Sequence, residues 1–127
     1  MVALAEYQLS HPDWLGYDVF NLVAADADFA AVRIEDLDAI VAKYKTLFEP
    51  RDLVIFRRSA WMNRNPAAQQ QLDHWIARRN TRGEQTLQAR QFTEFAAAAA
   101  WLGLAVDKAT PLETSEGFAE LARFNLA

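Results

Sequence analysis

Leu53-Val54-Ile55-Phe56, followed at once by Arg57-Arg58-Ser59-Ala60-Trp61-Met62-Asn63-Arg64 and then by Asn65-Pro66, is the stretch on which the fold turns. The four apolar residues form an unbroken run bounded by charge, the pattern of a central strand covered on both faces. Arg57 to Arg64 read as a loop leaving the C-terminal end of that strand. Asn65-Pro66 reads as a helix start, because asparagine caps free amides and proline at the first helical position gives up no hydrogen bond. Leu72, Trp75, Ile76 and Arg79 then mark an inward stripe, and Asn80 to Gly83 stop the helix.

Working outward, Leu87 to Phe92 reads as another strand, polar enough to lie near an edge. Thr93 is placed to cap a helix over Glu94 to Leu102, with Gly103 as its stop. Upstream, Tyr17 to Ala24 is rich in β-formers without helical spacing, which predicts a buried strand. Ile34, Leu37, Val41, Tyr44 and Phe48 recur at steps of three and four and share one helix face. Glu35, Asp36 and Asp38 near its start and Lys43 and Lys45 later suit the helix dipole, and Pro50 ends it. Val2 to Leu9 is expected to be helical, although its alternation also suits a strand, with a break at Ser10 to Asp13. Alternating helices and strands demand parallel strands with crossover connections, so the expectation is an α/β fold with a small, largely parallel sheet flanked by helices. That domain is expected to span residues 1–104. Residues 105–127 are expected to form a linker and a short covering helix, capped by Ser115 and carrying Phe118, Leu121 and Phe124.

A chain of 127 residues fits one domain. Its 52% hydrophobic content includes 24 alanines, so Leu, Val, Ile, Phe and the four Trp must build the core. With no cysteine, disulfides, thiolate catalysis and cysteine-ligated zinc are excluded. The start MVALAEYQLSHPDW lacks the pattern of a secretory signal, and no apolar stretch is long enough for a membrane span, so a cytoplasmic protein is expected. Net charge is −4, with eight arginines against three acids between Arg51 and Arg90 and an excess of acids on either side. A local arginine cluster on an acidic protein does not suit general nucleic-acid binding, but it suits one small anion or an acidic partner.

Several segments resemble the SpoIIAA-like, STAS-related family of small bacterial proteins. HPDWLGYDVFNLVA resembles the family's break and following strand, and DLVIF its central strand. LQARQFTEFAAAAAWLGL is similar to its closing strand ending in Phe, followed by a helix with Ala-Trp-Leu-Gly. The resemblance covers about Ala3 to Leu104 and implies a SpoIIAA-like α/β domain. Family members carry a β-hairpin before the first helix; here either that hairpin is absent or Val2 to Leu9 is a strand. Family anti-sigma antagonists place a phosphorylatable serine at the start of the helix after the first conserved strand, but Asn21 to Lys45 hold no Ser or Thr. A phosphoserine switch at that place is not supported.

No catalytic constellation stands out. His74 is expected on the solvent side of its helix and His11 in a turn, and without clustered ligands no metal site is expected. Ser10, Ser59 and Ser115 have no G-x-S-x-G context, and four glycines are too few for a phosphate loop or a dinucleotide fingerprint, so no cofactor is expected. The stretch to watch is Arg57, Arg58, Ser59, Trp61, Arg64 and Asn65, because it combines arginine donors, a flat apolar wall and a helix start at the edge where open α/β sheets bind ligands. The competing reading pairs the arginines with nearby acids and packs Trp61. A three-stranded sheet without its hairpin would leave an unpaired edge. Such an edge is covered by the tail, through Phe118, Leu121 and Phe124, or by a second copy in a homodimer. The function expected is non-enzymatic binding or protein interaction. The alternative is an anion or small-molecule carrier or enzyme using the Arg57 to Asn65 crevice.

Overall fold

The computed structural model describes residues 6, 7, 10, 11, 17–29, 31–48, 56–80, 86–121 and 123. They form a mixed α/β structure around a three-stranded, all-parallel sheet in the order β1-β2-β3, where β1 is Val19–Val23, β2 is Phe56–Asn63 and β3 is Thr86–Phe92. Helix α1 (Ile34–Phe48) joins β1 to β2, and α2 (Gln69–Asn80), entered through a 3-10 turn at Pro66–Ala68, joins β2 to β3. Helix α3 (Phe95–Trp101) follows β3, and a second 3-10 turn (Val106–Lys108) leads into α4 (Ala109–Thr114).

Strands laid down in sequence order by crossovers of one hand bring both crossover helices to the same face, and α1 and α2 do pack together. Leu37, Val41 and Trp75 form a buried cluster, with Val32, Ile34, Ile40, Ile76 and the β2 residue Trp61 against it. On the opposite face Ala60 and Ala98 are wholly buried against each other with Leu102, flanked by Phe20, Phe92 and Trp101. The alanine run of α3 thus serves close approach, since a helix carrying methyl groups lies nearer the sheet than one carrying larger side chains. Asn65 starts the helix after β2 as expected, its Oδ1 accepting the Ala67 N–H at 3.0 Å with proline in the first position.

Several local expectations need correction. The stretch from Arg57 to Asn63 is not a loop: β2 runs from Phe56 through Asn63, paired at Val19↔Ser59 to Val23↔Asn63 on one side and Phe56↔Thr86 to Met62↔Phe92 on the other. Residues 53–55 lie outside the described residues. Glu94, not Thr93, precedes α3 in extended backbone. Ser115 ends a helix instead of starting one: it sits after α4 in left-handed backbone, φ 61°, and Phe118 and Leu121 are not helical. The stretch expected as a linker forms α4, which buries Leu112. Glu6 and Tyr7 are helical, while the rest of residues 2–9 lies outside the described residues. No described residue ahead of β1 is in a strand.

Candidate functional site at the outer edge of β1

Parallel sheets ordinarily have both faces covered, and here, among the described residues, one corner is not. Side chains alternate along β1, so Val19, Asn21 and Val23 face the α1/α2 layer while Phe20 and Leu22 face the α3 side. Val23 is buried, and Asn21 donates to the Ser59 hydroxyl at 2.9 Å. Helix α3 has only seven residues and lies over β2 and β3. Beyond it the chain turns away through Gly103, whose φ of 75° is the left-handed geometry that favours glycine. The Gly103 N–H reaches the Ala100 carbonyl and the Leu104 N–H the Ala99 carbonyl, a Schellman stop.

A groove of about 600 Å³ is left between β1 and this turn, lined by Asp18, Phe20, Leu22, Leu102, Leu104, Leu112, Ser115 and Phe118. Its walls are largely aliphatic and aromatic, and they stay accessible: Leu22 is 42% exposed, Leu104 41% and Phe118 60%. Tyr17 and Leu121, which flank these residues in sequence, are exposed as well. At one end the Asp18 carboxylate accepts the Arg58 main-chain N–H at 2.7 Å and the guanidinium at 2.8 and 3.1 Å. Among the described residues no strand pairs with the outer edge of β1. Neither histidine lines the groove, so Ser115 has no imidazole there to activate it.

The arginine-rich stretch does not converge on one crevice. Arg58 points to the α3 side, where besides Asp18 its guanidinium donates to the carbonyls of Trp101 and Leu102 at the helix end. Ser59 and Trp61 lie on the opposite face, Ser59 bonded to Asn21 and Trp61 packed against the Leu37 cluster. Arg64 pairs with Glu113 at 3.6 Å and stacks 5.0 Å over Phe95. Asn65 is buried, capping Ala67 and donating to the Ala27 carbonyl. The side chain of Arg57 lies outside the described residues, as does Phe124. Anion binding at Arg58 or Arg64 therefore competes with an internal carboxylate at each.

His74 is not free in solvent as expected. It meets Asp38 of α1 at 2.8 Å, and Arg78 reaches the same oxygen at 3.1 Å, so the three residues fasten α2 to α1. The hydrogen bond from His74 holds the Asp38 carboxyl below the usual aspartate range, despite the opposing effect of desolvation. Asp36 is lowered too, chiefly by accepting the Arg33 backbone N–H at the helix start. At the C-terminal ends of β2 and β3, Asn63, Gln69, Asp73 and Gln91 form a network that the sequence did not suggest. Gln69 and Gln91 both donate to the Asp73 carboxylate, and Gln69 links it to Asn63 and Gln91. Among the described residues no group of three His, Cys, Asp or Glu is placed to hold a metal ion, and no helix is long and apolar enough to cross a membrane. Comparison with protein-family models, with curated proteins and with solved structures found no match to this chain.

Proposed function

We propose that this chain is a non-enzymatic protein-interaction module of SpoIIAA-like, STAS-related type, working in the cytoplasm. Its partner docks on the outer edge of β1 by adding an extended segment whose apolar side chains fill the neighbouring groove. The observation that carries the reading is the coincidence of two unsatisfied surfaces. An edge without a strand partner among the described residues lies directly beside an open groove walled by Leu22, Leu104 and Phe118. Strand addition draws on both, with main-chain bonds for affinity and alternate side chains for specificity. The groove's one carboxylate, Asp18, is engaged by Arg58, so the site is suited to holding a chain segment and not to transferring protons.

The test compares wild type with Leu22→Lys as baits in the native lysate. Position 22 is exposed enough to accept lysine without unfolding, which circular dichroism checks. Proteins retained by the wild type and lost with the variant, a native copy of this chain included, support the reading; identical retention of them all by both refutes it.

A further inference from the structure

We infer that the groove's occupant is a second copy of this chain, joined β1 to β1 about a two-fold axis at Asn21; this rests on the interaction reading above. Backbone parity supplies the first argument. The Arg64 N–H bonds the Val23 carbonyl and the Arg58 N–H faces β1, where Asp18 takes it. With the register Val19↔Ser59 to Val23↔Asn63, the N–H and C=O groups of Val19, Asn21 and Val23 are therefore directed at β2. Those of Phe20 and Leu22 are directed outward. In an antiparallel pair, residues that point at each other exchange two hydrogen bonds. A two-fold axis at Asn21 sets Phe20 opposite Leu22 of the partner subunit and Leu22 opposite Phe20 of the partner subunit. Every outward donor and acceptor of β1 is then satisfied. This register alone overlaps all five residues of both strands.

The side chains agree with the backbone. The axis keeps both α3 faces on the same side, so each Phe20 lies beside the partner's Leu22 and the two grooves merge on one face of a six-stranded sheet. An apolar cross-strand pair of this kind is favourable. The strand itself brings no charge to the contact: Val19–Val23 carries none, and Asp18 beside it is paired with Arg58. Natural edge strands are guarded by lysine, proline or bulges, and β1 reads VFNLV. At roughly 200 Å² per side chain of this size, the exposed parts of the groove residues Leu22, Leu104 and Phe118 total about 300 Å². That is a large part of the apolar share of one side of a standard interface, which buries roughly 800 Å² per partner.

The experiment uses the full chain. Because it has no cysteine, Asn21→Cys carries a single thiol. In a directly opposed, non-hydrogen-bonded pair the two Cα atoms are about 4.5 Å apart, within the disulfide range. Sedimentation velocity across the micromolar range is expected to show a concentration-dependent dimer. Leu22→Lys, and separately Leu22→Pro, which gives up only an outward N–H, are each expected to raise its dissociation constant about tenfold or more. Mild oxidation is expected to link Asn21→Cys into a covalent dimer well before Ser10→Cys, a control at another exposed residue. A monomer throughout that range, with Asn21→Cys linking no faster than the control, overturns the inference. If in that event lysate partners are still lost with Leu22→Lys, the interaction reading stands with another occupant. If they are not, both fall.

Discussion

Arg58 is a structural residue on this account, and Arg58→Met tests that directly. The substitution keeps the aliphatic stem but removes the donors to the Trp101 and Leu102 carbonyls and the partner of Asp18. A hydrogen bond made by a charged group contributes about 1.5–3 kcal/mol when sheltered. The Arg58 and Asp18 side chains keep 41% and 31% of their surface in solvent, which screens the ion-pair part to about 1 kcal/mol or less. A net loss of about 2 kcal/mol follows, since the released carbonyls regain water only in part. For 127 residues, an unfolding entropy of about 2.1 cal/mol/K per residue converts this to a melting temperature lower by about 7 °C. Thermal unfolding followed by far-UV circular dichroism reads the shift, and Arg58→Lys should recover only part of it because an ammonium lacks the planar fork. A melting temperature within about 2 °C of wild type would refute the reasoning and leave the guanidinium available to a ligand.

Other expectations follow from the two cores. Trp75, 5% exposed between α1 and α2, should cost about 3–5 kcal/mol in urea unfolding when replaced by alanine; a loss under about 1 kcal/mol would mean that this layer is loosely packed. Ala98→Leu intrudes on a wholly buried contact with Ala60 and should destabilise by about 1–3 kcal/mol, whereas a neutral result would show that α3 stands further from the sheet. Because Asp38 has a lowered pKa in the folded protein, its contribution is present above the unfolded value of about 3.9 and is lost as pH falls through the folded value. Asp38→Asn should therefore flatten the fall in melting temperature below about pH 4, and an unchanged acid limb would contradict the His74 contact.

The alternation of elements was legible because periodicity reports which face of a helix or strand is buried. Leu37 and Val41 on α1 and Leu72 and Trp75 on α2 are buried as their spacing implies. The extent of β2 was not legible. Its residues Ser59 and Ala60 look like loop residues, yet they are small because α3 comes close on one side and Asn21 reaches the other. The charge of Arg58 also argues against a central strand until Asp18 and the end of α3 are seen to absorb it. The tail was misread because a serine ahead of apolar residues resembles a helix cap, and only the packing of Leu112 shows that the helix comes before it. Of the groove, the sequence signals the unpaired edge and the apolar Phe118 but not the wall made by β1. YDVFNLVA reads as wholly buried, and whether Leu22 is covered depends on how short α3 is and on where the chain after Gly103 leads.

The most direct measurement is residue-resolved amide hydrogen exchange along β1, at a dilution where sedimentation gives only monomer. The N–H groups of Asn21 and Val23, bonded within the sheet, should exchange slowly, and those of Phe20 and Leu22 should exchange freely. Equal protection of all four in the monomer would mean that the chain covers its own edge, and the surface assigned to a partner would not exist.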